Sequence, residues 1–365
     1  MISNWRVRGF LEVRHTKVYY EPGRFGGWPA NHGIWSWGDE ILAGFSCGYY
    51  LDRGDRHHID PKKPEEHLLA RSLDGGETWQ IEDPASKGYL IPQGDSLHGT
   101  ELPGIQIPKS TVCEGGIDFK HPDFALTSRM SSTKIGPARF YYSYDRGHHW
   151  EGQFALSCTG VEGIAARTDY LADGVETCTL FLTASKSNGG EGRPFCCRTQ
   201  DGGKQWDFLS WIGPEPEGFG IMPASARFSA SNIYVVVRRR EGTRRWLSAH
   251  LSEDNGKSWR GMPDPVDNLG EGNPPSLVLL GDGRLCLTYG NRAEPYSMCA
   301  KLSGDGGQTW IGPCVLRDDG ICKDIGYARS VQRNDGKIVV VYYFSSPESS
   351  PDRYVAGTIF DPDTV

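Results

Sequence analysis

The densest group of acid–base side chains in this 365-residue chain is Asp52-Arg53-Gly54-Asp55-Arg56-His57-His58-Ile59-Asp60. An imidazole exchanges protons near neutral pH without a large environmental shift, so His57 and His58 are candidates for acid–base chemistry. Asp55 and Asp60 are the alternative, because a carboxyl whose pKa a crowded site raises can protonate a leaving group. Two histidines beside aspartate also suit a metal. No third ligand follows at fixed spacing, so neither a metal nor any other cofactor is expected. The competing reading is a solvated, charged loop.

A second group is built on arginine, whose planar fork matches a carboxylate bidentately. Arg24 and Asn31 flank a glycine-rich entry, Pro22-Gly23-Arg24-Phe25-Gly26-Gly27-Trp28-Pro29-Ala30-Asn31. Arg167 alternates with Asp169 across Thr168, as a structural ion pair would. Arg238-Arg239-Arg240 closes an apolar run, and such charge runs are usually solvated edges. Arg292 stands alone between Asn291 and Pro295. In Asp324-Ile325-Gly326-Tyr327-Ala328-Arg329, the tyrosine and Arg329 share a face at strand period. A phenol ionises near pH 10 in the free side chain and needs such a cation, or a base, to act as a nucleophile. Lys186-Ser187-Asn188-Gly189-Gly190 opens no helix and has no Lys-Ser/Thr ending, so it is not a phosphate loop.

The elements that must position these residues are set by a repeat. Ser72–Trp79, Ser143–Trp150, Thr199–Trp206, Ser252–Trp259 and Ser303–Trp310 all read Ser/Thr-x-Asp-x-Gly-x-x-Trp. The Asp can accept from the amides of its own turn, and Gly or Asn tolerates positive φ, so each octapeptide predicts a hairpin turn. The copies start at residues 72, 143, 199, 252 and 303. Spacing of this order points to propeller blades. Apolar runs such as Ile338-Val339-Val340-Val341-Tyr342 suit strands covered on both faces.

The octapeptide resembles the Asp box, or bacterial neuraminidase repeat, of the sialidase superfamily. The resemblance implies an all-β, six-bladed propeller spanning residues 1–365 as one domain. Its blades are expected at about 24–82, 90–153, 160–211, 220–262, 271–314 and 325–362, with 11–20 closing the last. It also implies that the boxes lie remote from the active site. By order, Arg238 and Arg292 correspond to two arginines of the sialidase triad and Tyr327 to the nucleophile. Asp60 falls in the loop of the acid/base. The family's Arg-Ile-Pro is represented only by Pro29, with Gly27 where the arginine belongs and Arg24 three residues earlier. Met222 stands where a glutamate is expected. The implied activity is release of a terminal acidic sugar. The catalytic candidates are Tyr327, Asp60 and His58, and the substrate-binding candidates are Arg24, Asn31, His57, Arg167, Arg238, Arg292 and Arg329. Two alternatives stay open: a uronate lyase using His57 or His58 with Tyr327, and a carbohydrate-binding propeller without catalysis.

Composition narrows the partners. A formal net charge of −7 provides no global basic field for nucleic acid, and no apolar stretch is long enough to predict a membrane span. An acidic carbohydrate is the expected partner. Met1–Arg8 carries no apolar run behind its charges, and the ten cysteines show no framework spacing, which together favour a reduced, cytoplasmic setting.

Overall fold

The computed structural model describes residues 12–94, 101–134 and 136–365; Met1–Arg8 and residues 95–100 of the second expected blade lie outside them. Six antiparallel sheets follow one another along the chain as the blades of a β-propeller. Blade one contains Arg24–Gly27, Ile34–Trp37, Glu40–Tyr49, Glu66–Ser72 and Gln80–Glu82; its inner strand is interrupted by the short helix Pro29–His32. Among the described residues blade two has three strands, Ala125–Met130, Ala138–Ser143 and Glu151–Leu156. Blades three, four and five have four each, with inner strands Tyr170–Ala172, Phe219–Arg227 and Ser276–Leu279.

Blade six is closed by the chain's other end. Val13–Tyr19 pairs antiparallel with Tyr354–Phe360, beside Ile338–Phe344 and Gly326–Gln332. The pairing removes the free edge that an open ring would present. Val18 of the closing strand packs with Ile41, Phe45, Val339 and Val355, joining the first and last blades through an apolar seam. Every residue of Ile338–Phe344 is buried, as expected for a strand covered on both faces. Each fully buried Val or Ile of this kind contributes about 1.5–3 kcal/mol.

The five octapeptides form equivalent turns. The Ser or Thr hydroxyl donates to the Asp at 2.7–2.8 Å and accepts from the amide of the glycine two residues after that Asp at 2.7–2.9 Å. The Asp then accepts from the amide four residues on, at 2.9–3.1 Å. Two successive residues are left-handed in each turn, the first being Gly75, Arg146, Gly202, Asn255 or Gly306. Strands alternate in direction, so these turns share one end of the ring with the tips between first and second strands. Gly75 N, for example, donates to Asp39 O at 2.8 Å. The other end carries the loops where the acid–base and arginine candidates lie. All ten cysteines are unpaired thiols, eight of them buried. No helix among the described residues is long and apolar enough to cross a membrane.

Candidate functional site

Three inner strands depart from regularity at the loop end of the ring. Trp28, Met222 and Tyr327 have φ of 57°, 54° and 51°, in the left-handed region that bulky side chains avoid. The register slips between Ile221 and Ala224 and again between Gly326 and Arg329. The three residues come from blades one, four and six, yet they meet in a single buried cluster with Phe25, Ile59 and Tyr343. Each such conformation costs about 1–3 kcal/mol, and strain of this kind is retained where a site requires it.

Blade five holds Tyr327 in place. Asn273 is fully buried; its Nδ2 donates to Ile325 O at 2.9 Å and its Oδ1 accepts from Tyr327 N at 2.8 Å. Glycine at 326 leaves room for this amide, since a Cβ there would come within 2.1 Å of Asn273 Nδ2. The tyrosine ring is thereby placed below two guanidinium groups. Arg238 Nη1 donates to Tyr327 Oη at 3.2 Å, and the Arg292 guanidinium carbon lies 5.5 Å from the ring centroid. Burial lowers the pKa of Arg238, and Arg292 and Arg167 push the same way, with Tyr327 opposing.

Beside this cluster is a hub on Asp324. Its Oδ1 accepts from His57 Nδ1 at 2.5 Å and from Tyr343 Oη at 2.6 Å; its Oδ2 accepts from His58 N at 3.0 Å and lies 3.5 Å from Arg353 Nε. Arg292 Nη2 donates to Tyr343 Oη at 2.7 Å, which ties the hub to the tyrosine pocket. Burial opposes ionisation of Asp324, but His57, Arg292 and Arg353 outweigh it and hold the carboxyl well below the usual range. A carboxylate facing Nδ1 keeps the His57 proton on that nitrogen, so Nε2 is the atom that takes or gives a proton. The His57 and Tyr327 ring centroids are 6.1 Å apart. His57, His58, Arg292 and Asp324 line a cavity of about 780 Å³ that also reaches Arg53, Glu271 and Lys323. Among the described residues no three His, Cys, Asp or Glu side chains are placed to hold a metal ion.

The family model for the BNR repeat-like domain matches residues 124–340. This chain belongs to that family. No curated protein sequence matches it. A protein of unknown function from Dyadobacter fermentans superposes with a TM-score of 0.70 at 17% identity, over 96% of this chain and 99% of that one. The NanB sialidase of Streptococcus pneumoniae gives a TM-score of 0.60 at 11% identity, covering 93% of this chain and 70% of the other. A Trypanosoma rangeli sialidase mutant displaying trans-sialidase activity gives 0.59 at 12% identity, covering 96% and 60%. The fold is that of the sialidase superfamily.

This BNR-repeat propeller brings Tyr327, Arg238, Arg292, His57 and His58 to one mouth. His58 stacks on Tyr50 at 5.9 Å, with its Nδ1 3.5 Å from Asp52; burial lowers its pKa, as does Arg353. The other candidates are engaged differently, although Arg167 lies near enough to Arg238 to act on its charge. Arg24 cannot replace an arginine at position 27: it is held by Glu66 and donates to Gly48 O, and the ring of Phe25 fills the space a Cβ on Gly27 would enter. Arg329 does not share a face with Tyr327, because the bulge at 327 breaks the period of two. It spans the central channel instead, donating to Asp169 Oδ2 at 3.1 Å and to the carbonyls of Ala30 and Thr168. Arg167 pairs with Glu191 at 2.9 Å rather than with Asp169. Asp60 accepts from Lys62 N at 2.9 Å and so closes a turn of its own loop.

Asn31 lies in the short helix of blade one, next to a second cavity of only about 20 Å³ shared with His32, Glu65, His67 and Arg129. That is room for about one water. Its neighbour Arg129 is buried and forms no ion pair among the described residues; burial together with Arg139 lowers its pKa to about 9.

Four site residues escaped the sequence reading. Asp324 stands three positions before Tyr327, where an acidic residue at a strand entrance was a usable signal. Tyr343 lies inside an apolar run and reads as core. Asn273 acts through its amide on backbone, a role no residue type announces. Arg353 comes from the last loop of blade six, and its backbone lies against Phe25 and Gly26.

Proposed function

We propose that this propeller is a glycoside hydrolase acting on a terminal acidic sugar. The observation that carries the reading is Tyr327. It is held in a strained left-handed conformation, its hydroxyl is bound by Arg238, and its ring lies below Arg292 and across from a histidine fixed by a buried carboxylate. In this mechanism Arg238 and Arg292 take the substrate carboxylate. Tyr327 Oη attacks the anomeric carbon as the glycosidic C–O bond breaks, giving its phenolic proton to solvent; in the second half a water attacks the same carbon, the tyrosyl C–O bond breaks and the phenolate is reprotonated. His57 Nε2 protonates the departing oxygen, then takes a proton from the water that releases the sugar. Arg238 stabilises the charge developing on the tyrosine oxygen. A tyrosine nucleophile is a known exception to paired-carboxylate glycosidases.

Elimination is the second reading, and one feature favours it. Met222, not a carboxylate, packs with Tyr327, whereas His57 is already an oriented base. Abstraction of the proton beside a uronate carboxyl by His57, with Arg238 and Arg292 on the resulting enolate, would expel the neighbouring sugar and leave a double bond. The experiment is a panel of sialosides and uronosides incubated with the protein, with products resolved by mass. Hydrolysis consumes one water and yields an intact free sugar. Elimination yields an ultraviolet-absorbing unsaturated product. Acidic-sugar binding with no product in any reaction would leave the propeller a lectin.

A further inference from the structure

The mouth carries more cationic groups than one carboxylate requires. Blade four's hairpin, Ile233–Glu241 with Arg244–Ser252, pairs Arg240 directly with Arg245 and Arg238 with Leu247. Arg238 and Arg240 alternate with Arg239, so they share a face; their guanidinium carbons lie 5.8 and 6.0 Å from the ring of Phe219. Arg245 joins that face from the opposite strand. Arg238 and Arg245 both flank Gly272, where an added Cβ would stand 3.4 Å from Arg238 Nε and 3.5 Å from Arg245 Cδ. Three arginines thus run in a row from Tyr327 to the rim.

The row is costly for the free protein. Like charges directly opposed across strands are destabilising. Arg244, on the other face, is paired with Asp264 at 3.2 Å and packs on Trp246. Arg238, Arg240 and Arg245 form no ion pair among the described residues, and Arg238 Nε is buried without a hydrogen-bond partner. Among the described residues Arg245 donates to the carbonyls of Gly242 and Arg244. Burial and then Arg240 lower its pKa; Glu271, which raises it, is exposed and lies 3.9 Å from Lys323.

We propose that Arg240 and Arg245 form a second anion subsite for a carboxylate or sulfate on the sugar adjoining the one at Tyr327. The substrate is then a glycan with at least two successive acidic units. The spacing suits this: residues two apart on a strand are about 7 Å apart, comparable to one sugar unit. The inference rests on the acidic-sugar reading above and narrows it.

The test compares matched probes: sialyl-lactose against disialic acid, and a glucuronic-acid-terminated disaccharide with and without a sulfate on its second sugar. Wild-type kcat/KM should favour the doubly acidic member of at least one pair by about tenfold or more, the size of one good interaction. The pair that shows it distinguishes carboxylate from sulfate. In the Arg240→Gln/Arg245→Gln variant that ratio should collapse toward one through KM, whereas Arg245→Lys should keep part of it. No preference in either pair, or a preference that survives the double variant, overturns the subsite. If no probe is turned over, the catalytic reading fails separately. Calorimetric binding of the same probes then decides the subsite: a preference for the doubly acidic probes that Arg240→Gln/Arg245→Gln removes supports it, and equal binding overturns it.

Discussion

The two ends of the ring handle charge in opposite ways. At the turn end, each repeated aspartate accepts from its own octapeptide, and the left-handed φ falls on glycine or asparagine at every position but Arg146. Hydrogen bonds hold the Asp254 and Asp305 carboxyls down at about 2, that of the turn's Ser or Thr hydroxyl (Ser258, Thr309) being the largest contribution. At the mouth, left-handed φ falls on Trp28, Met222 and Tyr327, and among the described residues Arg238 Nε is buried with no hydrogen-bond partner. Repetition at one end stabilises the ring cheaply and uniformly. Departure from the repeat at the other end is what makes one blade differ from the next, and a site needs such differences.

The largest expected effect breaks the mouth without touching the turns. Tyr327→Phe should abolish turnover, by on the order of 10⁶-fold if the tyrosine is the nucleophile. Binding of an acidic sugar should persist, because Arg238 and Arg292 remain. Full activity in steady-state assays of this variant would make Tyr327 a wall residue. His57→Ala should cost about 10²- to 10⁴-fold, the usual contribution of a general acid–base, and should flatten the pH–rate profile.

Asp324→Asn acts on stability as well as activity. Removing the charge leaves Arg292 and Arg353 buried beside a neutral amide, a change that costs about 3–5 kcal/mol when one partner of a buried pair is lost. Denaturant unfolding measures it. The sign with pH follows from the depressed carboxyl. Its stabilisation is complete above the unfolded aspartate value of about 4 and is lost as pH falls below it. Asp169 runs the other way. Burial raises it to about 6 despite Arg329. Its contribution is complete below the unfolded value of about 4 and is lost as pH rises from there through about 6. Asp169→Asn should flatten thermal stability across that interval, while Asp324→Asn should leave the slope there unchanged.

What could be read from sequence divides along the same line. The turns were legible because each is local: eight residues contain both the donors and the acceptor, and five copies repeat the geometry. The closing strand was legible from the need to remove the open edge of a propeller ring. The mouth was legible only where a residue type suffices, as for His57 and Arg292. Position along a strand misled at Arg329, because the bulge at Tyr327 shifts every later side chain by one face. It misled at Arg24, because strand pairing puts this residue opposite Tyr49 and within reach of Glu66. Asp324, Tyr343 and Arg353 take their roles from contacts between distant loops, which no local spacing encodes.

The smallest expected effect sharpens the comparison from the turn end. Asp254 accepts from Lys257 N at 3.0 Å, Ser258 N at 2.9 Å and Ser258 Oγ at 2.5 Å, all within one exposed turn of blade four. Asp254→Ala leaves those donors to water, so the loss should be only about 1 kcal/mol and Tm should fall by a few degrees at most. The carboxyl is depressed, so this contribution is complete above about pH 4 and disappears as pH falls toward 2. Wild type and variant should therefore converge in acid melts. Four further turns of the same geometry remain, so the ring and the kinetics at the mouth should be unchanged. A large loss of activity in Asp254→Ala would mean that the two ends are coupled through blade four, whose other end carries Met222, Arg238 and the Arg240–Arg245 pair.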